Sequence, residues 1–454
     1  MKIHLIAIGG SAMHNLAIAL QKNGHEVSGS DDEIFEPSRS RLQSYGLLPE
    51  KFGWYPEKIN NSLDVIILGM HARIDNPELL RGQELGLKIY SYPEYLYEHS
   101  KNKKRIVIGG SHGKTTITAM VMHVMKQAGM DFDYLVGSKI KNFDVMVRLS
   151  DSAPLMIFEG DEYLSSPLDR RPKFHWYHPH VALLSGIAWD HINVFPTFEI
   201  YKTQFTEFIR LIEKDGTLIY SEDDKVLREV VAQNRRSDLK TLSYKATPHT
   251  IEDGVTYLVA NSRKVPLKIF GRHNMMNLNG ARLVCHAIGI DDTVFYTAIE
   301  SFEGTANRLE LIEKNDRFSL FKDFAHAPSK VKATINAVRE QYSDRELVAC
   351  LELHTFSSLN KAFLDQYRGS FADAAKGCVY YNPHTVEMKK LEKIDPEDIR
   401  KAFNKSDLRV FTDSGEMIRW LTEQETERKV FLMMSSGNFN GIDFSKLAMQ
   451  LTAK

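Results

Sequence analysis

The segment Gly109-Gly110-Ser111-His112-Gly113-Lys114-Thr115-Thr116 carries the most specific chemistry in the chain. It stands between an apolar run, Arg105-Ile106-Val107-Ile108, and a helical pattern, so backbone amides and a helix start can surround phosphate groups. Lys114, expected on an exposed loop, would hold the β- and γ-phosphates of a nucleotide, and the Thr115 hydroxyl would bind magnesium. Only three residues separate Gly109 from Gly113, one fewer than the general pattern. A second acidic block, Phe158-Glu159-Gly160-Asp161-Glu162-Tyr163, follows an apolar run and offers the hard oxygen ligands magnesium prefers; the alternative is a solvated acidic turn. Asp190-His191 ends a further apolar run, where His191 reads either as a metal ligand or as a structural histidine.

Two later blocks add polar groups. Gly271-Arg272-His273-Asn274-Met275-Met276-Asn277 places two amides on one face of a starting helix, suited to a base or ribose edge or equally to a helix cap. Arg308 and Asp323 flank the first strand of a C-terminal region, in reach of γ-phosphate and ribose or forming an ordinary surface pair.

The elements that position these groups read as alternating strands and helices. Residues 3 to 8 form a strand that runs into Gly9-Gly10 and then a helix with Met13, Leu16, Ala17 and Leu20 on one face. Gly24 stops that helix, Val27 opens a second strand, and Asp31 lies just past it, about the spacing of a nucleotide-binding βαβ unit. The full G-x-G-x-x-G is missing, which disfavours a dinucleotide. Further strands fit 64 to 69, 105 to 108, 155 to 159, 181 to 187 and 217 to 220, and residues 241 to 270 look antiparallel. After residue 307 strands fit 318 to 322, 346 to 352, 378 to 381, 408 to 411 and 429 to 434. The expected fold is α/β with three domains, 1–100, 101–306 and 307–454, each an open and mostly parallel sheet with helices.

At 454 residues, about 150 per domain also gives roughly three domains. Apolar residues at 43% and charged residues at 26% exclude wholesale disorder. Lys plus Arg (58) nearly cancels Asp plus Glu (59), so no general attraction for nucleic acid or membrane is expected, and anions must be held locally. Three scattered cysteines and an N-terminal apolar run too short for a signal segment make the cytoplasm the expected compartment. Oligomeric state is not legible.

Taken together, these blocks resemble the Mur ligase superfamily, ATP-dependent amide-forming enzymes of peptidoglycan precursor synthesis, over nearly the whole chain. Glu159-Gly160-Asp161-Glu162-Tyr163 followed by Asp169-Arg170-Arg171-Pro172-Lys173-Phe174 is similar to the branch that joins UDP-N-acetylmuramate to L-alanyl-γ-D-glutamyl-meso-diaminopimelate in wall recycling. Arg308-Leu309-Glu310-Leu311, Asp323-Phe324-Ala325-His326 and Ser435-Ser436-Gly437-Asn438-Phe439-Asn440-Gly441 add to the likeness. The resemblance implies ATP and magnesium, with a UDP-sugar and a peptide or amino-acid acceptor as partners. It implies nucleotide contacts from Gly109, Ser111, His112, Gly113, Lys114, Thr115, Thr116, Asn274, Asn277, Arg308 and Asp323, with catalysis by Lys114, Glu159, His191 and Arg308. Thr115, Glu159 and His191 would hold the metal, and Gly9, Gly10, Ser30 and Asp31 would shape the UDP site. Acceptor candidates are Arg170, Arg171, Lys173, His326 and His354, although the first three read equally as a solvated basic turn.

The chain departs from the family at three places. His14 and Asn15 stand where small residues are common, which points to rearranged UDP contacts. Glu352-Leu353-His354-Thr355-Phe356-Ser357-Ser358 replaces an E-P-R-S-type segment. Phe205 and Thr206 occupy the places where some relatives carry a carbamylated lysine, and Lys202 reads as an ordinary surface residue. L-alanine is the alternative acceptor, and a non-catalytic nucleotide-binding regulator is the alternative outside enzymes.

Overall fold

Apolar runs become the inner strands of parallel sheets, and the glycines that follow them become the turns into helices. The computed structural model describes residues 1–189, 194–260 and 263–453. The chain divides into two units, Met1–Lys245 with Asn277–Ala298, and Ala246–Met276 with Ile299–Lys454. Among the described residues no helix is long and apolar enough to cross a membrane.

The first unit holds two sheets. Strands β1 (Lys2–Ile6), β2 (Glu26–Ser30), β3 (Val65–Leu68) and β4 (Ile89–Ser91) form a parallel sheet in the order β2-β1-β3-β4. Ile3, Leu5 and Ile6 are fully buried, and the helix Ser11–Lys22 buries Met13 through Leu20 between this sheet, the helix Ser38–Ser44 and the strand Val147–Arg148. The stretch after β4, expected as a helical connector, is the helix Tyr92–Ser100, started by a reciprocal Ser91–Glu94 capping box with Pro93 in the first turn.

The second sheet has seven strands in the order β11-β10-β9-β5-β8-β6-β7. These are β5 (Lys104–Gly109), β6 (Phe132–Leu135), β7 (Val147–Arg148), β8 (Leu155–Glu159), β9 (Val181–Leu184), β10 (Thr217–Ser221) and β11 (Lys240–Tyr244). Strand β5 lies between β8 and β9, parallel to both, so the loops after these three strands leave the sheet at one end. That end is where open parallel sheets collect ligands.

Two expectations change here. Strand β9 stops at Leu184; beyond it the Ser185 amide still donates to the Gly109 carbonyl at 3.1 Å, and Gly186 has φ 154. Residues 241 to 270 are not uniformly antiparallel: β11 pairs in parallel with β10 at the edge of the second sheet. Strand β6 has no counterpart in the expected set because Asp133 interrupts its apolar pattern. This aspartate is fully buried, accepts from Lys103 Nζ at 2.6 Å, and also accepts from the Ser150 amide and hydroxyl.

The second unit contains an antiparallel sheet of β12 (His249–Glu252), β13 (Val255–Ala260) and β14 (Arg263–Leu267). Its larger sheet runs β15-β16-β20-β17-β18-β19, formed by β15 (Glu310–Lys314), β16 (Phe318–Asp323), β17 (Glu346–Leu353), β18 (Lys376–Tyr381), β19 (Arg409–Phe411) and β20 (Lys429–Met434). Only the edge strand β15 is antiparallel, and β17 and β20 are buried along nearly their whole length.

The Lys103–Asp133 pair supports a stability prediction. Burial alone would raise the Asp133 carboxyl, but His99, Lys103 and the Ser150 donors outweigh it and hold it below the ordinary range. A depressed carboxyl contributes stability at neutral pH that is lost as pH falls through its folded pKa. Asp133→Ala leaves a buried ammonium unpaired and is expected to cost about 3 kcal/mol in urea unfolding at pH 7. Asp133→Leu combined with Lys103→Met should recover most of that; a loss under about 1 kcal/mol for Asp133→Ala would show that the pair is not needed.

Candidate active site

The loop after β5 is shaped by its glycines. Gly110 and Gly113 have φ of 117 and 75, and a Cβ on Gly113 would collide with the Asn277 side chain. The Ser111 amide donates to the Gly186 carbonyl at 3.0 Å, and Ser185 Oγ donates to the His112 carbonyl, so the loop is clamped against the segment after β9. Gly113 begins the helix Lys114–Gln127 without a side-chain cap, which leaves the first amides of the helix open to an anion. Thr116 is buried in that first turn, and Gly109 packs against Leu184 on β9. His112 Nδ1 pairs with the Ser111 carbonyl at 2.7 Å.

Lys114 is not on an exposed surface. Its ammonium donates to the Gly110 carbonyl and to Glu162 Oε2, both at 2.7 Å, and its side chain is 17% exposed. Burial opposes its charge, but Glu162, Asp161 and Glu159 more than compensate and raise it above the usual lysine range. Glu162 also accepts from the Tyr201 hydroxyl at 3.1 Å, which pairs with Ser111 Oγ at 2.8 Å.

Glu159 ends β8 and is buried. It accepts from Thr115 Oγ1 at 2.6 Å and from the Gly137 amide at 2.7 Å. Burial pushes its carboxyl up, with Asp161 adding to the rise, while Thr115, Gly137 and Lys114 only partly offset it. A buried carboxylate short of positive charge, beside a hydroxyl at a phosphate-loop position, suits a magnesium ion that also takes phosphate oxygens. Asp161 forms an ion pair with Lys173 at 2.6 Å; burial works against its charge, but Lys173 and Lys114 bring its carboxyl down to about 2. His191, the third expected metal ligand, lies outside the described residues.

Gly10 to Met13, Met70, His71 and Tyr92 face Lys114, Leu135 to Gly137, Glu159, Asp161, Lys173 and Tyr177 across a cavity of about 300 Å³. Segments that follow the first sheet thus share one wall system with the phosphate loop. Of the four residues expected to shape the UDP site, Gly10 lines this cavity. Gly9 donates to Asp31 Oδ2 at 2.7 Å, and a Cβ on Gly9 would meet Ile34 at 2.8 Å, so the turn accepts no side chain there. Burial, reinforced by Asp32, raises the Asp31 carboxyl to about 6 despite the Gly9 amide. Ser30 is buried and its hydroxyl has no partner among the described residues. His14 and Asn15 are interior groups: His14 pairs with the Gly10 carbonyl and Ser38, and Asn15 donates to Met146 Sδ at 3.4 Å and accepts from its amide.

Of the three basic acceptor candidates, only Lys173 reaches the cavity. Arg170 is exposed, and Arg171 pairs with Asp169 at 3.0 Å and stacks over Trp176. Asn277 lies beside Gly113 in the first unit, whereas Asn274 belongs to the second and donates to the Phe270 carbonyl at 2.9 Å. Arg308 and Asp323 are also in the second unit. There Asp323 is buried and accepts from the Leu309 and Ala325 amides at 2.7 Å, and Arg308 sits over the Phe324 ring. His326 Nδ1 pairs with the Phe324 carbonyl, and His354 is 3.9 Å from Glu352. Glu352 is buried, accepting from Ser435 Oγ and the Phe439 amide. Sequence reasoning missed Tyr92, His71 and Tyr177 on the cavity wall, because nothing in their local spacing distinguishes them from helix and core positions.

Three family descriptions match successive parts of the chain: the Mur ligase family catalytic domain over residues 2–104, the Mur ligase middle domain over 108–285, and the Mur ligase glutamate ligase domain over 307–437. A UDP-N-acetylmuramate–L-alanine ligase of Clostridium botulinum is 30% identical over 80% of this chain and 79% of its own. A UDP-N-acetylmuramate–L-alanyl-γ-D-glutamyl-meso-2,6-diaminoheptandioate ligase of Haemophilus influenzae is 28% identical over 75% of this chain and 76% of its own. A murein peptide ligase of Psychrobacter arcticus superposes with a TM-score of 0.65 at 23% identity, covering 99% of this chain and 98% of that one, and so supports the fold. With an α/β fold of mostly parallel sheets and a glycine-rich loop leading from a strand into a helix, the chain belongs to the Mur ligase family of ATP-dependent amide ligases.

Proposed function

We propose that the chain joins UDP-N-acetylmuramate to the tripeptide L-alanyl-γ-D-glutamyl-meso-diaminopimelate, as a step that reuses wall fragments in the cytoplasm. The observation that carries this reading is the cavity walled by Gly10 to Met13 on one side and by Lys114, Glu159 and Asp161 on the other. A sugar acid seated there meets the phosphate loop directly. The tripeptide is favoured over L-alanine by Glu162-Tyr163 and the Asp169 to Phe174 block, and by the Haemophilus influenzae relative named for that acceptor. L-alanine remains the second reading, favoured by the Clostridium botulinum relative.

In the proposed reaction a lactyl carboxylate oxygen attacks the γ-phosphorus of ATP and ADP leaves. The acceptor amine then attacks the acyl phosphate carbonyl, loses a proton, and expels inorganic phosphate as the amide forms. Carboxylate and triphosphate repel each other, so the protein must supply positive charge before the first step. Lys114 does so by exchanging its bonds to Gly110 and Glu162 for phosphate oxygens, while the open amides at the start of the helix Lys114–Gln127 take others. Magnesium, held by Thr115, Glu159 and His191, would neutralise further phosphate charge. Arg308, Asp323, Asn274 and Asn277 are assigned to the nucleotide, and His326 and His354 to the acceptor. Holding two anions in line is worth about 7 to 11 kcal/mol in well-oriented intramolecular reactions.

Lys114→Ala should reduce phosphate release by several orders of magnitude. Because the lysine pairs with buried Glu162, the variant should also lose about 1 to 3 kcal/mol of stability, which Glu162→Gln in the same chain should restore without restoring turnover. Near-normal turnover in Lys114→Ala would refute the assignment. Arg308→Ala should raise the KM for ATP while leaving UDP-N-acetylmuramate binding unchanged; equal loss of both would count against its nucleotide role. The acceptor is decided by mixing protein, ATP, magnesium and UDP-N-acetylmuramate with L-alanine or with the tripeptide. Phosphate release with the tripeptide is expected, release with L-alanine alone would favour the second reading, and release with neither would favour a non-catalytic protein.

A further inference from the structure

Two tyrosine hydroxyls on the cavity wall are buried and unpaired among the described residues. Tyr92 and Tyr177 are 4% and 0% exposed, both line the 300 Å³ cavity, and neither hydroxyl has a hydrogen-bond partner among the described residues. They reach it from different sheets. Tyr92 opens the helix that follows β4, fixed by the Ser91–Glu94 capping box. Tyr177 ends the short helical turn Lys173–Tyr177, its ring stacked on Phe158 with centroids 4.0 Å apart. The helix Tyr92–Ser100 packs against that turn, so the two phenols are neighbours.

A buried hydroxyl without a partner is costly, and native structures keep such groups where a water, a ligand or an ion completes them. Deepening the function proposed above, and resting on it, we infer that Tyr92 and Tyr177 donate hydrogen bonds to the lactyl carboxylate of the sugar acid and so hold it for attack. Several observations favour that group. The volume is at the lower limit of small-molecule pockets, with room for a substituted sugar ring rather than a whole nucleotide sugar. Lys114 and Lys173 share the wall, so an anion is tolerated beside the site's own carboxylates. A carboxylate offers about four lone-pair sites and needs several donors. Burial, with neighbouring Asp161, raises both phenols well above their ordinary range, so they remain neutral donors. Neutral donors orient a carboxylate oxygen without the full loss of nucleophilicity that a direct ion pair would impose.

Tyr92→Phe and Tyr177→Phe remove only the hydroxyls. The test measures calorimetric binding of UDP-N-acetylmuramate and of UDP-N-acetylglucosamine, which lacks the lactyl group, together with the unliganded melting temperature. Each variant should bind UDP-N-acetylmuramate about tenfold more weakly than the unsubstituted chain, bind UDP-N-acetylglucosamine unchanged, and melt no lower. Unchanged affinity for UDP-N-acetylmuramate, or equal loss for both ligands, overturns the inference while leaving the proposed function standing. A lower melting temperature overturns it too, since the hydroxyls would then have partners within the fold. Failure of the unsubstituted chain to bind UDP-N-acetylmuramate at all overturns the proposed function and this inference with it.

Discussion

A lysine ammonium tied to a buried carboxylate organises the glycine-rich loop after β5 and its surroundings. Lys114 bridges the Gly110 carbonyl and Glu162, Glu162 accepts from Tyr201, Tyr201 pairs with Ser111, and Ser111 Oγ accepts from the Ala188 amide at 2.8 Å. The circuit joins the loops after β5, β8 and β9 to the helix Phe198–Arg210. Only a sheet in which those three strands run parallel brings the loops out at the same end. Without a nucleotide the lysine is held by protein oxygens, so its charge is not left buried and unpaired.

The charge balance around that circuit is deliberately uneven. Glu159, Asp161 and Glu162 converge with Lys114 and Lys173, and burial raises the Glu159 carboxyl because Thr115, Gly137 and Lys114 only partly offset it. Polar groups behind the opposite wall answer a different need. Asp31 braces the Gly9 amide, while His14 and Asn15 tie the helix Ser11–Lys22 to its own loop and to Met146. Of the two residues where the first turn departs from the family pattern, Asn15 connects the helix Ser11–Lys22 to Met146 while His14 bonds Gly10 and Ser38, and neither lines the cavity.

Much of the fold was legible because its signals are local. Ile106, Val107 and Ile108 are buried on both faces of β5 and read as an unbroken apolar run, and the glycines after them need conformations that other residues resist. The losses occurred where distant groups change the meaning of a residue. Asp133 argues against a strand until Lys103 and Ser150 are found beside it. Residues 240 to 244 look like the start of an antiparallel segment until β10 claims them by parallel pairing. Arg171 reads as an anion ligand until Asp169 and Trp176 engage it.

The sequence by itself determined the alternation of strands and helices, the glycine turn of Gly109 to Gly113 into a helix and the acidic block at the end of β8, because each depends on neighbours within a few residues. Tertiary structure alone decided which face Tyr92 and Tyr177 present, which of the basic residues 170 to 173 reaches the cavity, and that Lys114 is paired instead of exposed. Those outcomes depend on strand order and on contacts between residues tens of positions apart. No spacing along the chain encodes them directly.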